Sequence, residues 1–188
     1  MRSTMPMLAV LVVTTLGAAR ADGPVLRDVS AATQGESCTV SCSLDGALTT
    51  ERLEEIAAGL ETTIGYRLYL FRRRPGLPDE SVVKNRILCT IRYDALTRQY
   101  TLTRSIDDET DVSRVTPDEA VMRDFLTRLD NVPLLPSAEL KRGEEYYVKI
   151  RADLGLMWRF YLIPWPLDTP WVRVPVTLPG GDPDEHRP

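Results

Sequence analysis

The chain has 188 residues, of which 43% are hydrophobic, and its 23 Lys and Arg against 27 Asp and Glu give a net charge of −4. This composition predicts a globular protein, and the acidic balance argues against a nucleic acid partner, which needs a basic binding surface. The single histidine is His186, near the end of the sequence. Its position argues against a Ser or Cys triad and against a typical zinc site.

The first 21 residues have the three zones of a cleaved secretory signal peptide. Arg2 supplies a positive end, residues 7–19 form an apolar run, and Ala19 and Ala21 place small residues where a signal peptidase cuts. The apolar run is too short for a spanning helix, which needs about 20 residues. We therefore predict cleavage before Asp22 and export to the periplasm or beyond, with no transmembrane segment in the mature chain.

The next part of the sequence predicts strands separated by one helix. Residues 36–44 alternate apolar with polar side chains, as expected of a strand with one buried face. Apolar residues then recur at helical spacing and predict a short helix that begins at a capping Thr50 and ends near Gly59. Alternation returns in three segments, 60–73, 82–93 and 99–104. We predict that the last two form a hairpin.

A second helix is indicated at Thr116, Pro117 and Glu119. A capping Thr, a Pro at the first helical position and a Glu three residues after the cap each favour a helix start. Apolar residues follow at helical spacing, so we predict a helix over 117–130.

Two further alternating segments, 145–154 and 171–178, predict strands. Because proline lacks an N–H donor, Pro175 predicts that the last of these strands lies at an edge of the sheet. Together these elements predict an α+β, mainly β domain over residues 22–179. Its antiparallel sheet would curl into a small sandwich with the two short helices at its edge. A disordered tail rich in Gly, Pro and charge is predicted over 180–188.

The three cysteines leave two alternatives open. In an oxidising compartment Cys89 could form a disulfide with Cys38 or Cys42. Cys38 and Cys42 could not pair with each other on one extended strand, because their Cα atoms would lie about 13 Å apart. The alternative is that all three are small buried residues that never pair.

Residues 93–100, at the predicted hairpin, read Tyr-Asp-Ala-Leu-Thr-Arg-Gln-Tyr. This run resembles a motif of a bacterial family of exported proteins that is catalogued only as a domain of unknown function. The likeness extends to the segments 38–73, 143–154 and 168–175. Because no activity is established for that family, the resemblance implies export, a single domain and a β-rich fold, and it implies no catalytic residue.

Two residues of this motif, Arg98 and Tyr100, are candidate binding residues. The alternative is structural: Arg98 would hydrogen-bond carbonyl groups of the turn, while Tyr93 and Tyr100 would pack across the hairpin.

All three tryptophans, Trp158, Trp165 and Trp171, lie in an apolar segment over 155–171. We take them as candidate binding residues, because exposed aromatic patches mark interfaces and Trp is enriched at their centres. The alternative is a loop whose Trp and Leu side chains cover the open end of the core.

Two charged clusters also have two interpretations each. The acidic run 107–111 could bind Ca²⁺, or it could form a solvated turn. The basic run 72–74 could contact lipid headgroups or a partner's carboxylates, or it could be a charged strand end that blocks edge pairing.

From these observations we expect a non-enzymatic binding or accessory module of the cell envelope that contacts a protein or a lipid-like membrane surface. No cofactor and no metal site is predicted. The alternative is a hydrolase that works through carboxylates without His or metal. Because the chain has 27 acidic residues, no particular pair can be singled out for that role.

Overall fold

The structure is a computed structural model that describes residues 23–141, 143–159 and 163–177, with the backbone alone between 156 and 166. The predicted signal peptide and the predicted tail lie outside the described residues. The strands are β1 Val25–Gln34, β2 Ser37–Asp45, β3 Thr62–Arg72, β4 Glu80–Asp94, β5 Gln99–Ile106, β6 Glu109–Thr116, β7 Arg128–Pro136, β8 Tyr146–Arg159, β9 Ile163–Asp168 and β10 Val172–Thr177. The helices are α1 Thr50–Ala57, α2 Glu119–Thr127 and a short 3-10 helix, Ser137–Glu139.

The strands form one mixed sheet in the order β6-β5-β4-β3-β8-β10-β1-β2-β7, and β9 pairs with the far part of β8. All neighbours are antiparallel except β1 and β10, which run parallel. The prediction of a mainly β fold with two short α-helices is confirmed. The prediction of a purely antiparallel sheet is wrong. The difference arises because β10 inserts between β8 and β1, so that strands from opposite ends of the chain become neighbours.

The sheet curls into a half-barrel instead of the predicted sandwich. Helix α2 contacts both β6 and β7, which are the two edge strands of the sheet. A single helix can touch both edges only if the sheet bends round to bring them near each other. The Asn85 Nδ2 on β4 also donates a hydrogen bond to the Leu134 carbonyl on β7, at 3.3 Å.

The inner side of the curled sheet holds the core. On β3 the side chains of Ile64, Tyr66, Leu68 and Leu70 are fully buried, as the period of two predicts. The Tyr66 hydroxyl donates a hydrogen bond to the Leu126 carbonyl of α2, at 2.7 Å. This bond satisfies a polar group that would otherwise be costly to bury, and it ties the helix to the sheet.

The capping residues of the two helices lie one and two residues away from the predicted caps. The cap of α1 is Thr49, whose side chain accepts a hydrogen bond from the Arg52 amide, and not Thr50. The cap of α2 is Asp118, and not Thr116, because Thr116 is the last residue of β6 and pairs with β5. No helix in the described ranges is long and apolar enough to cross a membrane.

The acidic run 107–111 forms the turn between β5 and β6 and the start of β6, a strand that the sequence did not predict. Asp107 and Asp108 adopt positive φ angles of 47° and 71°, which short polar side chains tolerate in tight turns. Asp111 pairs with Arg104 across the hairpin. Within the described ranges no group of three or more His, Cys, Asp or Glu residues is placed to hold a metal ion.

The prediction that Pro175 assigns β10 to an edge is wrong. β10 lies inside the sheet, between β8 and β1. Its pairing with β8 ends at Pro175, opposite Tyr147, and its pairing with β1 involves only Val176 and Thr177. Proline is tolerated here because it lies where the strand changes from one neighbour to the other.

The three cysteines are described as free thiols buried in the core. Cys38 and Cys42 lie on β2, as the sequence argument assumed, and Cys89 lies on β4. Burial raises the pKa of Cys38 to about 11 and the pKa of Cys42 and Cys89 to about 12. This arrangement corresponds to the second alternative, and the disulfide of Cys89 with Cys38 or Cys42 stays a prediction.

Thiol counting tests this arrangement. We expect three reactive thiols in the denatured protein and none that reacts rapidly in the folded protein, because the raised pKa values keep the thiols protonated. A count of one in the denatured, unreduced protein would instead establish the bridge. The same pKa values predict that the free energy of unfolding falls as pH rises from about 8.5, the ordinary thiol pKa, towards 12. In that range the unfolded chain releases thiol protons that the folded chain retains.

Candidate functional site

Four neighbouring strands, β4, β3, β8 and β10, carry basic and aromatic side chains on the outer side of the sheet. Because their inner side chains fill the core, every second residue faces outward. We call this surface the basic aromatic face. Its members are Arg67, Tyr69, Phe71, Lys84, Arg86, Tyr147, Lys149, Arg151, Trp171 and Arg173.

Strand register arranges the face in two rows that cross the strands. The first row runs from β4 to β10 through Lys84, Tyr69, Lys149 and Arg173. The second row runs from β4 to β8 through Arg86, Arg67 and Arg151. Since neighbouring strands lie about 4.8 Å apart, the first row spans about 14 Å.

Aromatic side chains fill the space between these cations. Tyr69 packs against Trp171 with ring centroids 5.1 Å apart, and Phe71 stacks on Tyr147 at 5.3 Å. Trp171 is 42% exposed, so part of its ring is open to solvent.

The cations lie over these rings. The Arg173 guanidinium is 3.5 Å from the Tyr147 ring centroid, and the Arg151 guanidinium is 5.0 Å from that of Trp171. The Lys149 ammonium is 5.2 Å from the Phe71 centroid. Such contacts hold long side chains in position and reduce the entropy that would be lost on binding a ligand.

Tyr147 is held in place by a hydrogen bond to Asp79, in the loop before β4. Its hydroxyl donates a hydrogen bond to the Asp79 carboxylate at 2.7 Å, and its side chain is buried although it points outward. Burial and this hydrogen bond raise the pKa of the Tyr147 phenol, and the same hydrogen bond lowers the pKa of Asp79. Tyr147 therefore stays neutral, and Asp79 stays charged, at neutral pH.

Only two of the six cations have a carboxylate partner among the described residues. Arg67 binds Asp153 at 2.9 Å, and Arg151 binds Asp168 at 3.0 Å. The side-chain nitrogens of the remaining four are within 4 Å of no described carboxylate: Lys84, Arg86, Lys149 and Arg173. The Asp107 carboxylate does accept a hydrogen bond from the backbone amide of Arg86, at 2.7 Å. The face therefore carries an excess of positive charge on a chain whose net charge is −4.

The second row places like charges side by side. Arg67 lies directly opposite Arg86 on one side and Arg151 on the other. Like charges at directly opposed positions destabilise a sheet. Asp153 and Asp168 relieve part of this repulsion, and a bound anion would relieve more of it.

A cavity of about 370 Å³ opens at the β4 side of the face. Its lining consists of Arg67, Tyr69, Lys84, Asn85, Arg86 and Asp107. Three cations and the Tyr69 ring could hold a carboxylate here, with its hydrocarbon stem against Tyr69. The Asp107 carboxylate in the lining offsets part of this positive charge.

Of the predicted binding tryptophans, Trp171 belongs to the basic aromatic face. The side chains of Trp158 and Trp165 lie outside the described residues. Their backbones belong to the hairpin of β8 and β9, where Trp158 pairs with Pro164 and Trp165 with Met157. The described parts of this segment in β8 and β9 therefore pair as antiparallel strands, and the interface role of Trp158 and Trp165 stays a prediction.

The other predicted pair, Arg98 and Tyr100, lies on the hairpin of β4 and β5, away from this face. Tyr93 and Tyr100 pack with ring centroids 4.8 Å apart, as the structural alternative expects. The turn is closed by the Asp94 carboxylate, which accepts a hydrogen bond from the Leu96 amide at 2.8 Å. Arg98 is exposed and has a positive φ of 55°. No hydrogen bond of its side chain is found among the described residues, and the binding role of both residues stays a prediction.

The basic run 72–74 lines a second cavity of about 590 Å³ at the end of β3. Its arginines are already paired with carboxylates: Arg72 with Glu80 and Glu144, Arg73 with Glu145, and Arg74 with Glu80. These ion pairs fit a structural role, in which they join the loop after β3 to the loop before β8.

The basic aromatic face was not predicted from the sequence, although part of its pattern is visible there. Three successive outward positions of β3 are Arg67, Tyr69 and Phe71, and the first three of β8 are Tyr147, Lys149 and Arg151. These six residues are all basic or aromatic. The strand order that brings the two sets together is not visible in the sequence.

Comparison with known proteins gives one match. The model of a family described as "Domain of unknown function (DUF4390)" matches residues 21–157, which is more than half of the chain. No curated protein and no solved structure matches the chain.

Proposed function

The chain belongs to the DUF4390 family of domains of unknown function, and we propose that its basic aromatic face docks an acidic segment of another protein. The observation that supports this proposal is the set of four cations on the face that lack a carboxylate partner in the described part of the chain. We further propose that the domain acts as a non-enzymatic binding module, since the face offers positive charge and aromatic surface of the kind that protein interfaces use.

Several features favour a protein partner over a membrane surface. Four of the six cations are arginines, whose planar guanidinium binds a carboxylate through two parallel hydrogen bonds. Trp, Tyr and Arg are the residue types that dominate the binding energy of protein interfaces. The cations are also held over aromatic rings at defined spacing. Defined spacing suits the carboxylates of a polypeptide, whereas a fluid lipid surface responds mainly to net charge.

We also propose that the protein is exported, on the basis of the three zones in residues 1–21. The mature protein isolated from a bacterial host should begin at Asp22. Mass spectrometry of the intact protein tests this, and a variant with Arg2→Glu and a charge within the apolar run, Leu11→Asp, should remain uncut in the cytoplasm. A mature amino terminus far from Asp22 would contradict the proposal.

A labelled oligoglutamate peptide is a suitable probe for the docking site. In fluorescence anisotropy it should bind the domain, and binding should weaken steeply with salt because exposed charges are screened beyond about 8 Å at physiological ionic strength. Oligolysine should not bind. Association with phosphatidylglycerol vesicles in the absence of peptide binding would overturn the proposal in favour of a membrane surface. No binding to either would overturn it altogether.

A further inference from the structure

An acidic segment follows β10 in the sequence, and β10 carries Arg173, one of the unpartnered cations of the basic aromatic face. Residues 178–188, which follow β10, read Leu-Pro-Gly-Gly-Asp-Pro-Asp-Glu-His-Arg-Pro. The segment lies outside the described residues. It holds three carboxylates, at Asp182, Asp184 and Glu185, against one arginine.

We propose that this segment folds back over the basic aromatic face and competes with the acidic partner for its cations. The competition with a partner rests on the proposed function, but the contact between the segment and the face can be tested without a partner. Charge complementarity is the first argument for it, since the segment is acidic and the nearest part of the face is basic.

The exit point of the chain is the second argument. β10 itself carries Arg173, and it ends at Thr177, four residues further on. Thr177 therefore lies about 13 Å along the strand from Arg173, at about 3.3 Å per residue. Lys149 is directly opposite Arg173 on β8.

The length of the segment is sufficient for this contact. Glu185 is eight residues beyond Thr177, which allows a reach of up to about 27 Å for an extended chain. Part of that length is needed to reverse direction, and Gly180 and Gly181 permit a tight turn without steric cost. Carboxylates at 184 and 185 can then approach Arg173 and Lys149.

A tethered segment needs little intrinsic affinity to compete. A short linker raises its effective concentration at the site to the millimolar range. The partner can then bind only after the segment is displaced. Its apparent affinity is therefore the intrinsic affinity multiplied by the fraction of molecules in which the face is free.

The lysines of the chain allow a direct test. The sequence has only three: Lys84 and Lys149 on the face, and Lys141 outside it. A carbodiimide joins a carboxylate to an ammonium only when the two are in contact. In the full chain we expect crosslinks from Asp184 or Glu185 to Lys149, identified by mass spectrometry, in large excess over crosslinks to Lys141.

Lys141 is a matched control because it is exposed and lies before β8, on the side towards which β10 ends. A segment that did not bind the face would meet Lys141 at least as often as Lys149. Arg173→Gln should reduce the crosslink to Lys149 without changing the lysines themselves. Equal labelling of Lys141 and Lys149, or an unchanged yield in Arg173→Gln, would overturn the inference.

Affinity for the oligoglutamate probe gives a second readout. Deletion of residues 179–188 should tighten probe binding by about three- to tenfold. A triple variant with Asp182→Asn, Asp184→Asn and Glu185→Gln should have the same effect. Equal affinity with and without the segment would contradict the competition. Selective crosslinking to Lys149, combined with no probe binding by either form, would instead contradict the proposed function while leaving the contact in place.

Discussion

Replacing Arg86 and Arg173 together by glutamate is expected to weaken binding of the oligoglutamate probe by about 100-fold or more. The two residues lie at opposite sides of the basic aromatic face, and neither has a carboxylate partner among the described residues. Loss of a hydrogen bond to a charged group costs about 1.5–3 kcal/mol. Two such losses amount to at least about 3 kcal/mol, which is about 100-fold in affinity, and the new like charges add repulsion. Anisotropy titration at low salt measures the change.

The matched control is Arg92→Glu with Arg114→Glu, which changes the net charge by the same amount. Both residues are exposed, and Arg92 lies six residues along β4 from Arg86, about 20 Å away. This control should bind the probe with nearly the affinity of the original protein. Equal losses in the two double variants would show that overall charge, and not the face, determines binding. We expect both double variants to keep the stability of the original protein, because neither pair lies in the core. Unfolding measurements on both variants check this.

Replacing Leu126 by alanine should lower the free energy of unfolding by about 2–5 kcal/mol. Leu126 is fully buried on α2, and its backbone carbonyl accepts the hydrogen bond of Tyr66. Removal of its side chain loses buried apolar surface and leaves a cavity between the helix and the sheet. Urea denaturation followed by circular dichroism measures the effect.

Leu96→Ala is the control for this substitution. Leu96 is 96% exposed in the turn between β4 and β5, so the same chemical change should alter stability by no more than about 0.5 kcal/mol. A loss below about 1 kcal/mol for Leu126→Ala would contradict the assignment of α2 to the core. The comparison also tests the curled form of the sheet, since α2 is the helix that contacts both edge strands.

The strands that the sequence predicted are those with one clearly buried face. β2, β3, β4, β5, β8 and β10 all show a run of alternating apolar residues that matches the burial in the structure. Alternation is a local consequence of the pleat, so it is visible without knowledge of the partner strands. The two α-helices were predicted for a similar reason, because their apolar stripes and capping residues are close together in the sequence.

The missed strands lack that local signal. β6 is mostly exposed on both sides, so its sequence has no apolar alternation. β7 begins immediately after α2 and contains Pro133 and Pro136, which favour a loop when they are considered alone. The alternation of β1 is broken by an irregularity between Arg27 and Ser30, where Asp28 has a positive φ. In each case the neighbouring strands maintain a conformation that the segment's own residues do not favour.

The sequence by itself determined the β-rich class of the domain, the two helices, the side of each main strand that is buried and membership of a family without known function. These are properties of short segments or of residue order. Only the tertiary structure decided the parallel pairing of β1 with β10, the curl of the sheet and the assembly of the basic aromatic face. The face joins residues from 67 to 173, and register between strands distant in the chain depends on how all the side chains pack together. Such long-range pairing leaves no periodic signal in any one segment.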